Sequence, residues 1–169
     1  MVIDDPFLLH LVRWFHVLSG VMWIGLLWYL NFVQVPTMPK IPDEMKPAIG
    51  RHIAPAVLFW FRWGAASTVL WGLILAWMQG TLGDRLAIGL ADGSTTTALI
   101  GVAMWFGLIM AFNVWFVIWP KQKIALGIVD APAEEKPKAG RTALMFSRTN
   151  TLLSIPMLYG MIAAQNPPF

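Results

Sequence analysis

Apolar residues run almost unbroken through four windows of this chain: Leu8 to Phe32, Val57 to Met78, Thr97 to Trp119 and Ala143 to Ala164. Crossing a bilayer takes about 20 mostly apolar residues, so each window is long enough. Between them the polar positions are rich in Pro, Lys, Asp and Gly and read as connections. The pattern predicts an all-α integral membrane protein, a four-transmembrane-helix bundle in one membrane domain over residues 1–169. Its helices are expected at about 8–35, 57–80, 97–119 and 143–164, with loops at 36–56 and 120–142. Pro36 should end the first helix, because its ring cannot donate a backbone hydrogen bond, and Pro120 the third. Pro55 sits where a helix start tolerates proline. The segment 83–96 reads as an exposed loop, and Pro156 should kink the last helix.

Composition agrees. The chain is 57% hydrophobic and 12% charged; a soluble domain carries about twice that charged fraction. Ten tryptophans suit membrane–water interfaces. The first connection carries Lys40, Lys46 and Arg51, and the third Lys121, Lys123, Lys136, Lys138 and Arg141. The opposite side offers Arg85 and the acidic start Asp4–Asp5. That asymmetry predicts both termini outside and the basic loops in the cytoplasm. The net charge of +3 therefore reflects topology and gives no sign of nucleic-acid binding. An acidic prefix, a long apolar run and no small-residue cleavage site predict a retained helix rather than a cleaved signal peptide. Cysteine is absent, which excludes disulfides, thiolate metal sites and covalent c-type haem attachment within these residues.

Candidate chemistry lies on the faces turned from lipid. At about 100° per residue, His16, Gly20, Trp23, Leu27 and Gln34 fall on one stripe of the first helix, flanked by Arg13, Ser19 and Asn31. Arg62 shares a face of the second helix with Ala65, Ala66, Val69 and Leu73, and Asn113 is strongly polar inside the third. Ser147, Thr151 and Ser154 line one side of the fourth, with Arg148 just off it. No predicted span holds Asp or Glu, so a carboxylate proton relay is not expected. Imidazole plus arginine suits haem b, which needs an iron ligand and partners for its propionates. His16 would supply the first, and Arg13, Arg62 or Arg148 the second. The competing reading is structural: a histidine bonded to a neighbouring helix, and arginines snorkelling to headgroups. His10 and His52 fall near opposite membrane surfaces, where histidine is more often solvated, although His52 remains a weak candidate ligand. Methionines in such a core usually fill space.

Four stretches bear on family. They are Leu11-Val-Arg-Trp-Phe-His-Val-Leu-Ser-Gly-Val-Met-Trp-Ile-Gly, Phe59-Trp-Phe-Arg-Trp-Gly-Ala-Ala-Ser-Thr, Asn113-Val-Trp-Phe-Val-Ile-Trp-Pro-Lys-Gln-Lys and Ser147-Arg-Thr-Asn-Thr-Leu-Leu-Ser-Ile-Pro. In this order they resemble the membrane domain of the bacterial membrane-bound urate oxidase (urate hydroxylase) family. The first also looks distantly like the haem-associated protoporphyrinogen oxidase family of bacterial membranes. The resemblance implies a multi-pass protein of the bacterial inner membrane, and carries over to His16, Arg62, Asn113, Gln122 and Asn150. Members of the urate family typically continue into a longer membrane part and a c-type cytochrome domain. This chain is expected to match the four-helix half alone, and has Thr149 where the family pattern has histidine.

Two functions follow as expectations. One is a haem b-binding redox or electron-transfer subunit, with His16 on the iron and Arg13, Trp23, Arg62, Asn113 and Asn150 around the cofactor. It would work in the bilayer beside a c-type cytochrome, a larger respiratory complex or a second copy of itself. The other is a cofactor-free accessory subunit of a membrane oxidoreductase. An enzyme acting alone on a purine or porphyrin ranks last, because the spans offer no general acid–base pair and no catalytic residue can be named.

Overall fold

The computed structural model describes residues 5–90 and 93–166; Asp4 and residues 91–92 of the 83–96 stretch lie outside the described residues. Four long helices dominate: α1 (Pro6–Lys40), α2 (Lys46–Met78), α4 (Thr95–Ala125) and α5 (Glu135–Ala163). A short α3 (Leu82–Leu86) follows α2. By length and composition α1, α2 and α4 are able to cross a membrane. Asp5 starts α1 by accepting the amides of Phe7 and Leu8 at 3.0 and 3.1 Å, with Pro6 in the first turn. Ser94 caps α4 by accepting from Thr97 N.

The helices are longer than the sequence predicts, and the connections correspondingly shorter. Neither Pro36 nor Pro120 ends its helix: α1 continues to Lys40 and α4 to Ala125. Each of the three apolar helices contains a π-helical turn, at Tyr29–Gln34, Ile49–Ile53 and Asn113–Ile118. A proline follows each turn two residues later, as Pro36, Pro55 and Pro120. Proline normally clashes with the carbonyl four residues back and leaves it without a donor. Here the residue before each proline donates five residues back, Val35 to Leu30, Ala54 to Ile49 and Trp119 to Val114. The widened turn makes room for the ring, and the helix passes through. The 120–142 loop is likewise mostly helical, since Glu and Lys are good helix formers and Pro137 sits in the first turn of α5. Part of the 83–96 loop is α3, after which Ile88 turns the chain at φ 55°.

Helix α1 packs along α2, and α4 along α5. Small residues set the approach. A Cβ on Gly64 would come within 3.4 Å of the Trp23 backbone, and one on Gly160 within 2.8 Å of Ala103 Cβ. Trp23, Leu27, Phe61, Ala65, Met110, Val114 and Ile118 form the sealed apolar core. Elsewhere the usual polarity is reversed. On α5, Ser147, Asn150, Thr151 and Ser154 are buried while Leu152, Ile155, Tyr159 and Ile162 are at least 58% exposed.

Candidate functional site in the helix seams

The α1–α2 seam holds His16. Its Nδ1 lies 2.8 Å from the Thr68 carbonyl of α2, and one turn on Ser19 Oγ meets Ser67 Oγ at 2.8 Å. A carbonyl oxygen only accepts, so the imidazole proton sits on Nδ1 and Nε2 keeps its lone pair. The ring can lie there because residue 72 is glycine: a Cβ would stand 2.8 Å from His16 Cε1 and 3.0 Å from Nδ1.

A second set of polar contacts ties α5 to its neighbours. Asn113 Nδ2 donates to Asn150 Oδ1 at 2.9 Å, and Asn150 Nδ2 donates to the Met110 carbonyl at 2.9 Å. Asn150 is fully buried. Trp28 Nε1 donates to Ser154 Oγ, which passes its own proton to the Thr151 carbonyl. Asn31 Nδ2 donates to Ser147 Oγ at 2.8 Å and to its own helix at the Leu27 carbonyl. These bonds make the interior specific where apolar packing alone would let helices slide.

The third feature lies towards the basic end. Arg62 is 9% exposed, with its guanidinium carbon 3.4 Å from the centre of the Trp119 ring. Arg62 and Thr68 are six residues apart on α2, or roughly 9 Å along the axis at a helical rise of 1.5 Å per residue.

The expected site residues therefore do not gather around His16. Asn113 and Asn150 bond each other, Arg62 joins Trp119, and Trp23 is sealed in the core at 1% exposure. Arg13 is exposed, and His52 is exposed within the π-turn near the start of α2. Near the opposite end Arg85 is held below its ordinary pKa by partial burial and then by the like charge of Arg13. Thr149 is also exposed, its hydroxyl bonded back to the Met145 carbonyl, so this position faces away from the core. Among the described residues no three His, Asp or Glu side chains come together as a metal cluster. Sequence reasoning missed Trp119 as a partner for Arg62, and missed the π-turns. The visible signal for the turns was a proline just beyond one end of each of these apolar runs.

Fold and interior together define a helical membrane protein in which several polar side chains bond between helices and many large apolar side chains face out. Residues 90–168 match the family model described as urate oxidase N-terminal. The family resemblance thus holds over α4 and α5, which carry the Asn113–Lys123 and Ser147–Pro156 stretches; the His16 stretch lies outside the match. No curated protein and no solved structure matches the chain.

Proposed function

We propose that this chain is a four-span subunit of a membrane oxidoreductase related to the urate oxidase membrane domain, and that it binds haem b through His16. The family match over residues 90–168 supports the relationship. The inward polar face of α5 supports a fourth span, its polarity lowering the average apolarity of a helix that exposes Leu152, Ile155, Tyr159 and Ile162. Eight basic residues at one end against Arg85 at the other support both termini outside a bacterial inner membrane.

One observation carries the haem reading: Thr68 fixes the His16 tautomer, leaving Nε2 with the lone pair that iron takes. A backbone carbonyl behind an imidazole also orients the ring and raises its basicity. Arg13, one turn before His16 on α1, is the cation within reach of a propionate in this reading. The bound group would supply one-electron chemistry at iron. The implied partner is a separate c-type cytochrome or a larger respiratory complex, in which this chain acts alone or as a homo-oligomer. The test is an absorption spectrum of protein purified in mild detergent from haem-replete cells. A Soret band that His16→Ala removes is the expected result; a colourless preparation ends the reading.

A second reading, the cofactor-free accessory subunit, is favoured by the closeness of the seam. His16 rests directly on Gly72, and Val12 and Trp23 on the same helix are 5% and 1% exposed. There the imidazole is a lock between α1 and α2. Co-migration of colourless protein with an oxidoreductase after gentle solubilisation would decide for it.

A further inference from the structure

The position of Arg62 demands an explanation that no neighbouring residue supplies. The side chain is 9% exposed, sixteen residues from the start of α2, and none of its N–H groups donates a hydrogen bond to another described residue. Among the described residues the only carboxylate ion pair is Lys46–Asp43, so nothing neutralises the charge. A cation removed from water costs several kcal/mol unless it is paired. Lying over an indole offsets only part of that cost. A second cation, Lys123, stands 5.7 Å from the same Trp119 ring, and that too has no acidic partner. Beside them Gln122 Oε1, one helical turn from Trp119, is buried without a donor.

We propose that Arg62, Lys123 and Gln122, arranged around Trp119, form a binding site for a carboxylate or phosphate oxyanion entering from the basic end of the bundle. A guanidinium carbon 3.4 Å from a ring centre leaves room only for a flat, stacked group. Contact with the ring restrains the fork, whose coplanar donors match a carboxylate or phosphate oxygen pair bidentately. Lys123 adds a mobile point charge, and the Gln122 oxygen calls for a ligand with a donor of its own. The Asn113–Ile118 π-turn lies immediately before Trp119 and Pro120, and such turns recur where helices build functional sites. The site does not depend on haem at His16.

The oxyanion has two possible sources, a lipid headgroup or a soluble anion. Full-length protein in phosphatidylcholine nanodiscs, titrated separately with benzoate and inorganic phosphate at constant ionic strength, reports the soluble source. Nanodiscs containing phosphatidylglycerol report the lipid source. The expected result is a saturable rise in melting temperature in at least one arm. Arg62→Gln should abolish it, and Arg62→Lys should weaken it roughly tenfold by losing the fork. Gln122→Leu leaves the guanidinium in place and should also weaken binding, which covers the case in which Arg62→Gln does not fold. A wild type indifferent to all three additions overturns the site, as does an Arg62→Lys or Gln122→Leu protein responding as wild type does.

Discussion

Substituting Gly72 by alanine sets two effects of opposite sign against each other. In a helix interior, glycine to alanine gains about 1 kcal/mol from backbone propensity. At this position, however, the new Cβ would stand 2.8 Å from His16 Cε1, against an ordinary contact of at least 3.4 Å. The ring must retreat, and its 2.8 Å bond to Thr68 O is in the path of that retreat. Losing a buried hydrogen bond costs about 1–3 kcal/mol and overpacking another 1–3 kcal/mol. Gly72→Ala should therefore destabilise the protein by about 2 kcal/mol. In a His16→Ala background the obstacle is gone, and the same substitution should stabilise by about 1 kcal/mol. The sign reversal, read by reversible unfolding in mixed micelles, amounts to a coupling of about 3 kcal/mol. If Gly72→Ala stabilises with His16 present, or acts equally in both backgrounds, the imidazole is not seated as described.

Other outcomes follow from the same seams. Asn150→Leu should cost about 1–3 kcal/mol, because it strands Asn113 Nδ2 and removes a bond to the Met110 carbonyl. The Asn113→Leu/Asn150→Leu double variant should fall short of additivity by roughly 0.6–1.7 kcal/mol, the range for hydrogen bonds between membrane helices; strict additivity in a double-mutant cycle would dissolve the pair. Gly160→Val should lower the melting temperature markedly, since even a methyl there meets Ala103 Cβ at 2.8 Å and the Leu99 carbonyl at 3.1 Å. Thr149→Val should change unfolding free energy by less than about 0.5 kcal/mol, and a larger loss would show that this position faces protein rather than lipid.

The sequence by itself determined the membrane class, the helical content and which residues are polar inside apolar runs, because burial of backbone polar groups in lipid leaves a long helix few alternatives. It also pointed to the inward side of α5: Ser147, Thr151 and Ser154 are buried as their spacing requires. It could not set where the helices end. Proline predicts a stop at Pro36 and Pro120, and only hydrogen bonding five residues back lets the chain run on. Nor could it say which polar residues meet, because spacing places a side chain on a face of its own helix and says nothing of what stands opposite. Tertiary packing alone brought His16 to Thr68, Asn113 to Asn150 and Arg62 to Trp119. It thereby divided a site expected around one imidazole into separate seams, since glycines at 64, 72 and 160 fix how closely each pair of helices approaches.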